Sequence, residues 1–86
     1  PPSGLTENDH DDLTLYPNPA QTHIAVENLN QELRYTITDL SGRVVLQGTT
    51  MNKQRINVAH LSKGNYILQG TGVETRDQIV FKFVVQ

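Results

Sequence analysis

The chain has 86 residues, a formal charge of −2 from seven Lys and Arg against nine Asp and Glu, and no cysteine. A chain of this length buries about 60–65% of its unfolded surface, which leaves little room for a deep catalytic cleft. The charge offers no electrostatic footprint for nucleic acid, and the lack of cysteine excludes a disulfide framework, a thiol nucleophile and a zinc–thiolate site.

Residues 1–12 contain Pro, Gly, small polar residues and acidic residues, with Leu5 as the apolar side chain. This composition predicts a flexible acidic linker to an upstream part of the protein, with one domain over residues 13–86. Pro1-Pro2-Ser3-Gly4 lacks the basic and apolar regions of a signal peptide. We therefore expect the chain to be the end of a longer protein that carries its own signal upstream.

The first predicted strand, residues 13–16, runs into the segment Leu15-Tyr16-Pro17-Asn18-Pro19. Each proline fixes φ, removes a backbone donor and biases the residue before it toward extended geometry. The segment is therefore a rigid exit from the strand. A β-bulge, an ordinary turn and a capped sheet edge all remain open as its structural role.

Apolar residues beyond this point recur with period two, and turn residues interrupt them every few positions. This pattern predicts an all-β domain, and seven short strands indicate a sandwich. In the third strand Leu33, Tyr35 and Ile37 share one side, which we assign to the core. The predicted strands are 13–16, 23–26, 33–38, 43–47, 55–58, 66–70 and 78–85.

Two glycine-containing turns separate these strands. Asp39-Leu40-Ser41-Gly42 predicts a tight turn that joins the third and fourth strands as a hairpin, with Gly42 at positive φ. The segment 61–65 predicts a second turn in which Gly64 supplies left-handed geometry, and Leu61 is apolar enough to close one end of the core.

The last strand has two different faces. Ile79, Phe81, Phe83 and Val85 alternate on one side, which we assign to the core, while Val80, Lys82 and Val84 form the other. That second face is too apolar to sit comfortably in water. The pattern predicts a strand that is partly covered or that seeks a partner.

Candidate catalytic and ligand-binding residues are scattered. His10, His23 and His60 show no metal-ligand spacing, and we interpret them as surface histidines. None of the serines lies in a strand–turn–helix elbow. The sequence therefore predicts no catalytic, metal-binding or cofactor-binding residue and no enzyme within this chain. The aromatic side chains are all assigned to packing: Tyr16, Tyr35, Tyr66, Phe81 and Phe83.

The alternating acidic residues of the linker leave a second interpretation open. Their carboxylates could touch a hard cation such as calcium, although the glycine and the distal glutamate of a helical calcium loop are missing. A solvated acidic linker is the favoured interpretation. The residues concerned are Glu7, Asp9, Asp11 and Asp12.

Four motifs occur in order along the chain: Leu15-Tyr16-Pro17-Asn18-Pro19, Thr38-Asp39-Leu40-Ser41-Gly42-Arg43-Val44-Val45, Leu61-Ser62-Lys63-Gly64-Asn65-Tyr66-Ile67-Leu68 and Lys82-Phe83-Val84-Val85. Together they resemble the C-terminal sorting domain of type IX secretion cargo. The resemblance covers residues 13–86 and implies an immunoglobulin-like antiparallel sandwich. It also implies a place at the end of a cargo protein of Bacteroidetes, such as a protease, an adhesin or a haemagglutinin.

The resemblance further implies a route and partners. The cargo crosses the inner membrane with a separate signal, the domain is recognised in the periplasm, and the type IX translocon carries the protein across the outer membrane. A surface sortase with a cysteine nucleophile then removes the domain and attaches the cargo to anionic lipopolysaccharide. The expected final location is the cell surface or the extracellular space. No integral membrane segment, nucleic acid or cofactor is expected.

Carried over by position, residues 78–86 correspond to the family segment that is required for export. The predicted recognition residues are Ile79, Val80, Phe81, Lys82, Phe83, Val84, Val85 and Gln86. The predicted motif and structural residues are Leu15, Tyr16, Pro17, Asn18, Pro19, Asp39, Gly42, Gly64 and Tyr66.

The composition of the terminal strand and of the linker predicts how each segment interacts with other proteins. The apolar terminal strand can add to another sheet edge through main-chain hydrogen bonds, and an exposed strand over residues 79–85 is also a template for a homodimer. Cleavage is expected in the linker before Leu13, where the backbone can enter a protease site. Ser3 and Gly4 lie there, but no motif fixes the bond.

The leading hypothesis is therefore a non-enzymatic sorting module. A carbohydrate-binding or adhesive β-sandwich attached to a secreted protein is the alternative, and such modules display an aromatic face. A purely structural spacer is a third possibility. Deleting a spacer would leave the location of the cargo unchanged.

Overall fold

The computed structural model describes residues 13–86, so the predicted acidic linker, with its candidate cation ligands and cleavage region, lies outside the described residues. Seven strands and no helix occur within the described part of the chain. Numbered in chain order, the strands are β1 Thr14–Tyr16, β2 His23–Glu27, β3 Leu33–Asp39, β4 Val44–Thr50, β5 Ile56–Asn57, β6 Gly64–Gly72 and β7 Gln78–Val85.

The strands form two sheets. One has the order β1-β2-β5 and the other the order β4-β3-β6-β7, and every pair of neighbours is antiparallel. Apolar side chains from both sheets meet between them. This confirms the predicted all-β fold and is the arrangement of an immunoglobulin-like sandwich.

The core follows from the alternation of buried and exposed residues in β3, β6 and β7. Leu33, Tyr35 and Ile37 of β3 are buried, as their period-two spacing predicts. The rings of Tyr66 in β6 and Phe83 in β7 stack at a centroid distance of 5.8 Å, within the range in which aromatic pairs attract. The other buried core side chains are Leu15, Ala20, Ile24, Ile56, Val58, Leu68 and Val85.

Strands β4 and β6 are longer than the predicted ranges 43–47 and 66–70, and both Gly48 and Gly70 lie inside the ladder. A Cβ added at Gly48 would lie 3.1 Å from the hydroxyl of Tyr35, and one added at Gly70 would lie 2.8 Å from Leu33 Cδ2. These glycines make room for large neighbours on the inner face. Strand β7 agrees with its prediction, and the remaining strands differ by one residue at one or both ends.

The predicted hairpin between β3 and β4 is confirmed. Gly42 donates its N–H to the carbonyl of Asp39 at 3.0 Å, and Asp39 donates to the carbonyl of Arg43 at 3.0 Å. Gly42 has a φ of +90°, which residues with a Cβ rarely adopt.

The second turn differs from its prediction in the position of Gly64. Gly64 has a positive φ of +153°, but it is the first residue of β6 and pairs with Val85 rather than lying inside the turn. Leu61 is half-buried and packs against the core, as expected for a side chain that closes its end.

Candidate functional site

The terminal strand β7 forms one edge of the four-stranded sheet. It pairs with β6 along its whole length, from Gly64 opposite Val85 to Thr71 opposite Gln78. Three of the predicted recognition residues, Ile79, Phe83 and Val85, are buried in the core. A partner of the folded domain therefore cannot touch these three side chains, which leaves the outward residues and the main chain of the strand.

The proline-containing segment that follows β1 lies against this edge. The side-chain amide of Asn18 spans two main-chain groups of β7: Nδ2 donates to the carbonyl of Lys82 at 3.3 Å, and Oδ1 accepts the N–H of Val84 at 3.1 Å. A primary amide carries both a donor and an acceptor, so it imitates the main chain of a neighbouring strand. The bonds Tyr16-Pro17 and Asn18-Pro19 are both cis.

Ala20 continues the pairing with its own main chain. Its N–H donates to the carbonyl of Val84 at 2.7 Å, and its carbonyl accepts the N–H of Gln86 at 2.8 Å. The result is a parallel bridge between Ala20 and Val85, with Ala20 completely buried. Of the three roles left open by the sequence, the capped edge is the one found. We call residues 18–20 the edge cap.

The edge cap reaches only part of β7. In a strand, the main-chain groups of alternate residues point to the same side. The carbonyl of Val84 and the N–H of Gln86 point toward the edge cap. The N–H and carbonyl of Val80 and the N–H of Lys82 therefore point the same way, and no hydrogen-bond partner for these groups lies within residues 13–86. The expectation of an exposed strand over residues 79–85 is therefore wrong for its C-terminal half and holds for the main-chain edge of residues 79–82.

The outer face of the same sheet carries exposed apolar side chains. Leu40, Val44 and Val80 are 69%, 51% and 41% exposed, and Ile67 and Val84 are half-buried. Leu40, Ile67 and Val84 line one shallow groove of about 370 Å³, together with Lys82. This outer apolar surface draws on three of the four sequence motifs.

Lys82 lies on the edge strand of this surface, between Val80 and Val84, and its side chain is exposed. The ion pairs among the described residues join Arg43 to Asp39 at 3.3 Å and Lys53 to Glu27 at 3.7 Å. Lys82 belongs to neither. Its charge is therefore available to an acidic partner.

Asp39 organises the turn that presents Leu40. Its Oδ1 accepts hydrogen bonds from the hydroxyl of Ser41 at 2.6 Å and from the N–H groups of Ser41 and Arg43 at 3.0 Å each. These bonds, the hydroxyl first, and the guanidinium of Arg43 hold the pKa of Asp39 below its usual value.

Residues 13–86 contain no group of three or more His, Cys, Asp or Glu placed to hold a metal ion. His23 contacts the hydroxyl of Thr22 through Nδ1 at 3.2 Å, and His60 is exposed. No helix that could cross a membrane occurs in this part of the protein.

Two residues with structural roles were not predicted from the sequence. Gln31 holds the turn after β6: its Oε1 accepts the N–H groups of Glu74 and Thr75, at 2.8 and 3.1 Å. Ala20 has no polar side chain and gave no signal. The contacts of both residues are distant in sequence, and no local pattern could have found them.

Comparison with known protein families identifies the family of this chain. Residues 14–86 match the family model of the secretion system C-terminal sorting domain. The chain belongs to this family. As a type IX sorting domain, it directs an attached cargo protein through the type IX secretion system, across the outer membrane to the cell surface or the extracellular space.

A solved structure shows the same fold. It is that of PorZ, described as an essential bacterial surface component of the type IX secretion system of Porphyromonas gingivalis. The two superpose with a TM-score of 0.70 at 19% identity, over 98% of this chain and 12% of PorZ. The sorting domain thus spans a small part of that protein's length, and the likeness shows the fold alone. No curated protein matches the sequence.

Proposed function

We propose that residues 13–86 act as a non-enzymatic sorting module that the secretion machinery recognises as a folded unit, through the terminal strand and the exposed turns. The observation that carries this proposal is the edge cap. The motif at the start of the domain bonds to the motif at its end, so the terminal segment is presented in one fixed conformation.

The remaining steps of the route belong to the same proposal. The cargo reaches the periplasm with a separate signal, and the domain is recognised there in a Bacteroidetes host. After export, a cysteine sortase cuts within residues 1–12 and attaches the cargo to the surface. The small and polar residues of that segment, such as Ser3 and Gly4, support access by a protease.

The burial pattern narrows the predicted recognition residues. The exposed side chains of Val80, Lys82 and Gln86 and the half-buried Val84 can touch a partner directly. We propose that Ile79, Phe83 and Val85 contribute by holding the strand in place. Asp39, Gly42 and Tyr66 contribute by fixing turns, and Gly64 contributes by pairing with Val85.

Transplantation tests this function. Residues 13–86 are fused to a passive periplasmic reporter in a host with the type IX system, beside the same fusion truncated after Gln78. We expect the complete fusion at the cell surface and the truncated one in the periplasm. Periplasmic retention of a folded, complete fusion would contradict the proposal.

The carbohydrate-binding alternative finds no support in the aromatic side chains. Among the described residues Tyr35, Tyr66 and Phe83 are buried, and Tyr16 and Phe81 are half-buried. A planar sugar-binding surface needs exposed rings. A glycan array should therefore show no reproducible binding, and specific binding of one glycan would favour the alternative.

A further inference from the structure

We propose that the uncapped half of the β7 edge, residues 78–82, binds an extended strand from a protein of the secretion machinery by strand addition. This proposal rests on the proposed sorting function. The partner that it specifies is a segment in β conformation in which an acidic side chain lies next to an apolar one. Three features of the edge define that occupant.

The first feature is the main chain. Val80 directs its N–H and its carbonyl away from β6, and Lys82 directs its N–H the same way. These groups repeat the pattern that the edge cap satisfies at Val84 and Gln86. An added strand supplies matching donors and acceptors without regard to its side chains.

The second feature is Phe81 on the core side of the edge. Its neighbours on that side, Ile79 and Phe83, are 3% and 1% exposed, whereas Phe81 is only partly buried. The edge cap ends before it. A residue placed opposite Phe81 on an added strand would lie about 5 Å away and complete the cover if it is apolar.

The third feature is Lys82 on the outer side. Successive side chains of an added strand point to opposite faces, so the residue next to the one that covers Phe81 lies beside Lys82. Lys82 has no carboxylate partner within residues 13–86. An acidic side chain at that position is therefore favoured on grounds of charge.

The edge cap also sets the length of the site. It occupies the carbonyl of Lys82, so an added strand must stop there. Five residues, 78–82, remain, which corresponds to about 17 Å of extended chain. The site fits a short strand segment rather than a whole sheet edge.

Charge argues against a second copy of this chain as the occupant. The segment 78–82 contains Lys82 and no acidic residue. Two copies paired antiparallel over this segment would place each Lys82 opposite Gln78 and leave both lysines without a carboxylate partner. A partner with an acidic strand supplies that carboxylate.

Export of the reporter fusion with Val80→Pro tests the main-chain contact. Proline removes the outward N–H and blocks an incoming strand but breaks no bond to β6, so an edge strand tolerates it. Val80→Thr keeps the N–H and is the matched control. With folding verified by circular dichroism and urea unfolding, we expect Val80→Pro to lower surface reporter about tenfold and Val80→Thr less than about twofold.

Lys82→Glu and Lys82→Arg provide a second test that does not depend on a proline. The first should lower export about fivefold through repulsion of the acidic partner, and the second should leave it within about twofold. Equal export of wild-type, Val80→Pro and Lys82→Glu fusions, all folded, would overturn the binding mode while leaving the sorting function intact. Retention of the wild-type fusion would instead contradict the sorting function itself.

Sedimentation of the purified chain over a range of concentrations tests whether a second copy of the chain occupies the edge instead. We expect a monomer for both the wild type and Val80→Pro. A wild-type dimer that Val80→Pro abolishes without loss of export would show that a second copy occupies the edge, and would overturn the proposal.

Discussion

The Oδ1 atom of Asn18 accepts the backbone N–H of Val84, 66 positions later in the chain, at 3.1 Å. This bond and its companion to the carbonyl of Lys82 attach the start of the sorting domain to its last strand. The terminal strand is thereby held from both sides, by β6 and by the edge cap. Loss of either end of the domain removes part of the same structure.

Asn18→Ala should destabilise the domain by about 1–2 kcal/mol. The substitution removes both hydrogen bonds to β7, and a hydrogen bond contributes about 0.5–1.5 kcal/mol to stability. Urea unfolding measures the loss. Hydrogen exchange at the Val84 amide should become faster in the same variant.

Asn30→Ala is the matched control, since Asn30 is exposed and has no side-chain hydrogen bond within residues 13–86. It should change stability by less than about 0.5 kcal/mol. Equal stability of the Asn18 and Asn30 variants would show that the edge cap is held by Ala20 alone.

The carboxylate of Asp39 should make the stability of the domain depend on acid pH. Its pKa is lower in the folded protein, because the hydroxyl of Ser41 and nearby N–H groups stabilise the charged form. Its contribution is therefore fully present above the unfolded pKa, about 3.9, and is lost as the pH falls through the lower folded pKa. Urea unfolding between neutral and strongly acid pH measures this loss.

Asp39→Asn removes this titration and keeps an oxygen that can accept the turn hydrogen bonds. The stability difference between the wild type and Asp39→Asn should therefore shrink as the pH falls. A difference that stays constant across the acid range would contradict the assigned role of the charge.

Gly72→Ala should loosen the turn between β6 and β7. A Cβ at this position would lie 2.6 Å from Cδ of Gln31, closer than real contacts allow. Gln31 must then move and weaken its bonds to Glu74 and Thr75. We expect a loss of about 1–2 kcal/mol in urea unfolding.

A double-mutant cycle with Gln31→Ala isolates this cause. Once the long side chain is removed, Gly72→Ala should cost clearly less than it does in the wild type, because neighbouring substitutions that share one contact are not additive. Additive losses would place the effect in the backbone of β6 instead.

Tyr66→Phe should cost about 1 kcal/mol of stability. The Tyr66 hydroxyl donates to the carbonyl of Ser62 at 2.6 Å and so fixes the turn that precedes β6, while stacking on Phe83 survives the substitution. Tyr16→Phe is the control, because the Tyr16 hydroxyl makes no hydrogen bond within the described chain. Equal unfolding midpoints of the two variants would contradict the role of the hydroxyl.

Local signals were sufficient for much of the fold. Alternation placed Leu33, Tyr35 and Ile37 in the core, and the Asp39–Gly42 sequence located the hairpin, because both signals act within a few residues. The full length of β4 and β6 was not predicted. The role of Gly48 and Gly70 inside these strands, to make room for Tyr35 and Leu33, depends on packing between strands that a single sequence does not display.

The candidate site was harder to predict, because it depends on tertiary contacts. The sequence indicated a rigid segment at residues 15–19 and an apolar last strand, but nothing in either segment encodes that one caps the other. The division of the β7 edge into a capped half and an open half follows from the bonds of Asn18 and Ala20. The family resemblance named both segments without this geometry.

The most direct test of the sorting function is the distribution of a reporter fused to residues 13–86, measured in a type IX host and in an isogenic strain that lacks the translocon. We predict surface reporter in the first strain and periplasmic reporter in the second, with the domain folded in both. The same distribution in the two strains would contradict a role in type IX sorting.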